Sequence, residues 1–194
     1  MPLLLASSSA IRRAMLDAAG VDHAALPAGI DEAALKATLG DDPAAVALEL
    51  AKAKAEDVSA RHSGDWVIGS DSVVSVDGRL FGKPASREQA ADHLRSFAGK
   101  AMQLVSAVAL ARRGATDWAH SDSATLRVRQ LSEPFIADYL DREWPAVAYC
   151  VGVFRLEGPG VQLFDRIDGD HFTILGMPLL PLLGALRERG VIAS

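Results

Sequence analysis

Between Trp66 and Pro84 the chain reads Trp-Val-Ile-Gly-Ser-Asp-Ser-Val-Val-Ser-Val-Asp-Gly-Arg-Leu-Phe-Gly-Lys-Pro, an apolar stretch carrying Asp71 inside it and Lys83 near its end. A carboxylate set into an apolar strand costs desolvation free energy unless something pairs with it, so Asp71 is a site candidate. Other segments add groups suited to phosphate. Ser7-Ser8-Ser9 precede Arg12 and Arg13 at a helix start, where free backbone N–H groups, hydroxyls and guanidinium forks can converge on an anion. Those residues fit a plainer role equally, an N-cap serine with solvated arginines, which by itself is the commoner arrangement. Asp31 and Glu32 by default complement a helix dipole, and Lys52 and Lys54 on an Ala-rich helix are by default solvated. Taken together, cations that grip phosphate oxygens and carboxylates that hold a hard divalent metal are what cleavage of a phosphoanhydride requires.

Competing chemistries lack their signatures. There is no Walker A pattern, no Gly-x-Gly-x-x-Gly fingerprint and no Gly-x-Ser-x-Gly elbow, and His120 and His171 have no nucleophile motif beside them. The net charge of −5 over 194 residues offers no basic face for a nucleic-acid polymer, so an anionic ligand must be met by a few placed lysines and arginines. One cysteine, Cys150, excludes an internal disulfide and a multi-Cys zinc site, and is compatible with a reducing cytoplasm. Met-Pro-Leu-Leu-Leu-Ala is too short for a signal peptide, and no apolar run approaches the roughly 20 residues of a membrane span, so neither is expected.

The elements that must carry these groups alternate. Leu3–Leu5 reads as a short buried strand, followed by a helix from about Ala10 to Ala19 closed by Gly20. Helices are expected from Asp31 to Leu39 and from Ala44 to Arg61, the second with Pro43 at its start. Val67 and Ile68, then Val73, Val74 and Val76, form strand runs that end on Asp77-Gly78, a hairpin signal because both residues tolerate positive φ. Ser86 and Gln89 resemble a capping box for a helix to Phe97. Met102–Ala111 and Trp118–Gln130 read as strands separated by a turn at 112–117, and Ser132 caps a helix to about Asp141. The stretch 150–177 is Gly-rich, and its glycines around Arg155 and Glu157 suit either a ligand against the backbone or a simple hairpin. A last helix ends near Gly190. The alternation gives an α/β class with a polar site at strand ends, and no linker or repeat marks a domain boundary.

Several separated motifs also agree in order with one family: Leu-Ala-Ser-Ser-Ser-Ala-Ile-Arg-Arg at 5–13, Asp31-Glu32, Lys54-Ala55, Gly-Ser-Asp-Ser at 69–72, Gly82-Lys83-Pro84, Phe-Arg-Leu-Glu-Gly at 154–158 and Gly176-Met177-Pro178-Leu179. Over essentially its whole length the chain resembles the Maf family of nucleoside triphosphate pyrophosphatases. The resemblance implies one domain over 1–194, an α/β fold of the inosine-triphosphatase-like kind with a mixed elongated sheet and two lobes around a cleft. It implies hydrolysis between the α- and β-phosphates of a nucleoside triphosphate with a divalent metal, Mg²⁺ or Mn²⁺. By position, Asp71 matches the family's general base, Ser8, Arg13, Lys54 and Lys83 match phosphate-binding positions, and Glu32 matches an acidic position that joins Asp71 at the metal. Arg155-Leu156-Glu157-Gly158 is similar to the 7-methyl-GTP subgroup's motif, which makes Glu157 a specificity residue. The alternatives are a dTTP/UTP-type pyrophosphatase, a nucleotide-binding regulator of cell division, or a phosphatase releasing orthophosphate. A cytoplasmic protein is expected, and a homodimer is compatible with the analogy.

Overall fold

The structure, a computed structural model, describes residues 2–193. Leu3–Leu5 forms β1 and Ala10–Ala18 forms α1, capped by Ser9. After the short β2 (Ala24–Ala25) come α2 (Glu32–Leu39) and α3 (Pro43–Arg61), with Asp31 and Asp42 as their caps. The hairpin expected from Asp77-Gly78 is present as β3 (Trp66–Val76) and β4 (Arg79–Phe81), with Ser75 opposite Leu80. Asp77 and Gly78 have φ of 51° and 77°, the two positive values that a type I′ turn requires.

Next follow α4 (Arg87–Phe97), β5 (Ala101–Arg112) and β6 (Ala115–Val128). The expected turn at 112–117 is corrected to Arg113-Gly114. These two residues, at φ of 57° and 77°, suffice to reverse the chain, so β6 begins at Ala115 rather than Trp118. Then α5 (Glu133–Glu143) leads into the Gly-rich stretch, which forms no hairpin of its own. A 3-10 turn at Ala146–Tyr149 precedes it, and a second at Pro159–Leu163 leads into β7 (Phe164–Asp168), which pairs back on β6. The chain closes with α6 (His171–Leu175) and α7 (Leu179–Glu188).

The sheet order is β2-β1-β3-β5-β6-β7, with β4 on β3. β1 is parallel to β2 and β3, whereas β4 and β7 are antiparallel to their partners, so the expected mixed α/β sheet is what forms. The chain divides into two compact units, the first holding residues up to 72, 105–122 and from 170 onward, the second 73–104 and 123–169. Leu5, Leu16, Ile68, Val108, Leu110, Met177 and Leu182 pack together in the first. In the second, Phe97, Leu126, Ile136 and Leu140 are buried, and Phe81 meets Phe97 edge-on at 4.8 Å. Each fully buried aliphatic or aromatic side chain of this kind contributes about 1.5–3 kcal/mol.

One contact in the first unit does most to position chemistry. A Cβ at Gly69 would lie 2.0 Å from the Ala51 carbonyl oxygen and 2.7 Å from the Ala55 nitrogen. Only glycine allows α3 to lie this close to β3. The helix buries Val46, Ala47, Leu50, Ala51, Lys54, Ala55, Val58 and Ser59, a stripe of adjacent pairs repeating every fourth residue. Lys54 falls inside that stripe and is carried down onto the strand.

Candidate active site

Lys54 and Asp71 meet where α3 crosses β3. The Lys54 ammonium donates to Asp71 Oδ1 at 2.6 Å and lies 2.9 Å from Glu32 Oε1, at the first turn of α2. Lys54 and Asp71 side chains keep only 11% and 10% of their exposure. A helical lysine is solvated by default; this one is largely buried, because the close approach at Gly69 sets the face of α3 that carries it down onto β3. Asp31 and Glu32 also divide. Asp31 caps α2, accepting from the Ala34 N–H, while Glu32 reaches the lysine. The second oxygen of Asp71, Oδ2, is buried and has no hydrogen-bond partner. A buried carboxylate oxygen left unmatched is costly, so it is a place where a proton or a cation would be accommodated.

Beside this cluster sits a network that takes up Arg12, read from the sequence with Arg13 as a fork for an anion and here turned to protein oxygens instead. Arg12 donates through Nε to the Gly176 carbonyl at 2.9 Å, through Nη1 to the Ser70 carbonyl at 3.0 Å and through Nη2 to Ser72 Oγ at 3.0 Å. Ser70 Oγ also donates to the Gly176 carbonyl at 3.0 Å. Ser72 Oγ lies 2.9 Å from Ser106 Oγ, which donates to the Thr173 carbonyl. Gly176 closes α6 at φ 113°, a conformation that favours glycine, and a Cβ there would press on Ser72 at 3.3 Å. Burial pulls the Arg12 guanidinium below its ordinary pKa, and the charges of Asp71 and Glu32 oppose that shift. Arg12 therefore spends its fork on locking the acid-bearing strand to the α6 end. The signal for it was available in the spacing, since Arg12 and Arg13 cannot both face inward on one helix.

Arg13 and Ser8 stand on the outside of the same helix start. Both are exposed, and among the described residues neither side chain makes a hydrogen bond or ion pair. Ser9 is the residue that caps α1, and Ser7 accepts from the Ser9 N–H, so these two serines have separate structural duties. The structure thus brings Glu32, Lys54 and Asp71 into contact and leaves Ser8 and Arg13 open on the same unit.

The remaining candidates lie in the second unit. Lys83 is exposed between β4 and α4, while its neighbour Pro84 is buried. Glu157 is exposed in the turn that follows Phe154 and, among the described residues, makes no hydrogen bond or ion pair. Arg155, two residues earlier, is held by buried Glu143 at the end of α5. Burial raises the Cys150 thiol to about 11, with the Glu157 charge adding to it, so this cysteine is not a thiolate nucleophile at neutral pH.

Among the described residues no group of three or more His, Cys, Asp or Glu side chains gathers as a complete metal cage, and no helix is long and apolar enough to cross a membrane. Two carboxylates, one with an unmatched buried oxygen, are what a hard cation shared with substrate phosphates would need from the protein. Fold and cluster together define an α/β protein whose central strand presents an acid among cations, an arrangement suited to phosphate chemistry.

The chain belongs to the Maf family, whose Maf-like protein model matches residues 2–189. It is 51% identical over 193 residues to the 7-methyl-GTP pyrophosphatase of Rhizobium etli, covering 98% of this chain and 97% of that one. It is 46% identical over 191 residues to the nucleoside triphosphate pyrophosphatase of Granulibacter bethesdensis, covering 97% of each. Among solved structures, a nucleoside-triphosphatase, or dITP/XTP pyrophosphatase, from Mycobacterium abscessus matches with a TM-score of 0.42 at 15% identity, over 98% of this chain and 96% of that one, a likeness too slight to carry chemistry across.

Proposed function

We propose that this chain is a nucleoside triphosphate pyrophosphatase, a single catalytic domain that hydrolyses the α–β phosphoanhydride of a modified nucleotide such as 7-methyl-GTP to a monophosphate and pyrophosphate. The observation that carries the proposal is the buried Lys54–Asp71 pair with its unmatched Oδ2. Membership of the Maf family and the names of relatives at 51% and 46% identity support it.

In this reading Asp71 Oδ2 is the acceptor that orients a water and takes its proton. Lys54, Arg13, Lys83 and the Ser8 hydroxyl meet phosphate oxygens, offsetting charge on the triphosphate and on the leaving pyrophosphate. Lys54 uses two of its three N–H donors on Asp71 and Glu32 and keeps the third for a phosphate. Asp71 and Glu32 would hold a divalent cation such as Mg²⁺ or Mn²⁺, which when bound lowers the pKa of water and neutralises phosphate charge. Glu157 would select the base, since a carboxylate accepts hydrogen bonds from a guanine edge and an amide pairs differently.

The test is a panel of nucleoside triphosphates, including 7-methyl-GTP, GTP, dTTP and UTP, assayed with Mg²⁺ or Mn²⁺ for pyrophosphate and orthophosphate separately. Pyrophosphate released with 7-methyl-GTP preferred is the expected result. Orthophosphate as the product, or binding with no product at all, would sink the assignment.

A further inference from the structure

Arg155 stands between two carboxylates. Its Nε donates to Glu143 Oε2 and its Nη2 to Glu143 Oε1, both at 2.9 Å, a two-toothed pairing with an acid that is only 3% exposed. Glu157, two residues further along the same turn, is close enough for its charge to stabilise the Arg155 guanidinium, yet it is exposed and makes no hydrogen bond or ion pair among the described residues.

The turn itself is built around this choice. Val153, a β-branched residue, sits at φ 56°, a conformation such residues rarely adopt and hold only when their surroundings enforce it. Tyr139, one helical turn before Glu143 on α5, is buried and donates its hydroxyl to the Val153 carbonyl at 2.9 Å. Phe154 packs edge-on against Phe164 at 4.9 Å, and a Cβ at Gly160 would lie 2.5 Å from the Arg155 carbonyl oxygen. One face of α5 therefore grips both ends of the segment 153–155 that leads into Glu157.

We propose that Glu143 is a positioning residue for base selection: by occupying the Arg155 fork it keeps that guanidinium away from Glu157, whose carboxylate is left free for the nucleobase. The inference rests on the reading of Glu157 as the base-selecting group. Without Glu143, the nearest anionic partner for a fixed cation is Glu157, and an acid engaged by Arg155 has lost the acceptors it needs for a guanine edge.

The experiment compares kcat/KM for 7-methyl-GTP and for UTP in the full chain and in Glu157→Gln, Glu143→Gln and the double variant Glu143→Gln/Arg155→Gln, with near-UV circular dichroism as the check on folding. Glu143→Gln is expected to lower the selectivity ratio about 10-fold, through KM, as loss of a charge-assisted hydrogen bond to the base predicts. The double variant removes the competing cation and is expected to restore the ratio to within about threefold of the parent. A purely structural role predicts the opposite, with the second substitution leaving the ratio low, and that result overturns the proposal. So does a Glu143→Gln ratio equal to the parent's while Glu157→Gln collapses it. If Glu157→Gln leaves the ratio unchanged, the base-selecting role of Glu157 itself falls, and this inference with it. Should Glu143→Gln not fold, Glu143→Asp keeps the charge one methylene short of the fork: a partial loss of selectivity supports the proposal and none overturns it.

Discussion

The lysine–carboxylate cluster on β3 and the turn at 153–158 handle charge in opposite ways. At the cluster the groups proposed for the chemistry are themselves buried: Lys54 and Asp71 interlock at 2.6 Å, with Arg12 tying the strand to Gly176. At the turn the free acid, Glu157, is exposed, and the buried charge belongs to its support, Glu143. Burial strengthens electrostatics and removes freedom, which suits a group that must meet a phosphoanhydride in one geometry. Exposure leaves acceptor atoms open, so the selecting role proposed for Glu157 needs rigidity from somewhere else. Alteration at the cluster should therefore damage turnover and stability together, whereas alteration at the turn should change which nucleotide is preferred.

The largest expected effect is on turnover. Asp71→Asn keeps the shape but removes the proton acceptor, and pyrophosphate release should fall about 10²- to 10⁴-fold, with circular dichroism unchanged. Undiminished turnover would remove Asp71 from its role. Lys54→Met should couple activity to stability: it leaves Asp71 uncompensated in the interior, and urea unfolding should report a loss of about 3–5 kcal/mol. Gly69→Ala tests the approach that brings Lys54 inward. Its Cβ would meet the Ala51 carbonyl at 2.0 Å, so a destabilisation of about 1–3 kcal/mol or more is expected, and a midpoint equal to the parent's would show that α3 can move away.

Effects at the second region should be narrower. Glu157→Gln is expected to shift the ratio of kcat/KM between 7-methyl-GTP and UTP about 10-fold, read from the substrate panel, with little change in thermal midpoint. Outside both regions, Lys83→Met at an exposed site between β4 and α4 should have the smallest effect on stability: its midpoint should not move while KM for triphosphate rises. A large drop in midpoint there would mean that Lys83, like Lys54, is part of the framework, and the contrast between buried and exposed groups would fail.

Much of this protein was determined by sequence alone. The alternation of strands and helices, the Asp-Gly hairpin and the caps at Ser9, Asp31, Ser86 and Ser132 are local matters of backbone preference, and each forms where the residue types require it. Asp71 also declared itself, because an acid inside an apolar strand violates the pattern around it. Tertiary structure decided the rest. A lysine in an Ala-rich helix and one in a loop look alike along the chain, yet Lys54 is interior and Lys83 exposed, since only the close packing allowed by Gly69 carries the first to a carboxylate. Arg12 and Arg13 are adjacent in sequence, yet one turns inward and the other outward, because neighbouring positions on a helix face different ways. Glu143 gave no sign of its pairing with Arg155, twelve residues away, because a helical glutamate is ordinarily solvated and nothing local marks the one that the fold encloses.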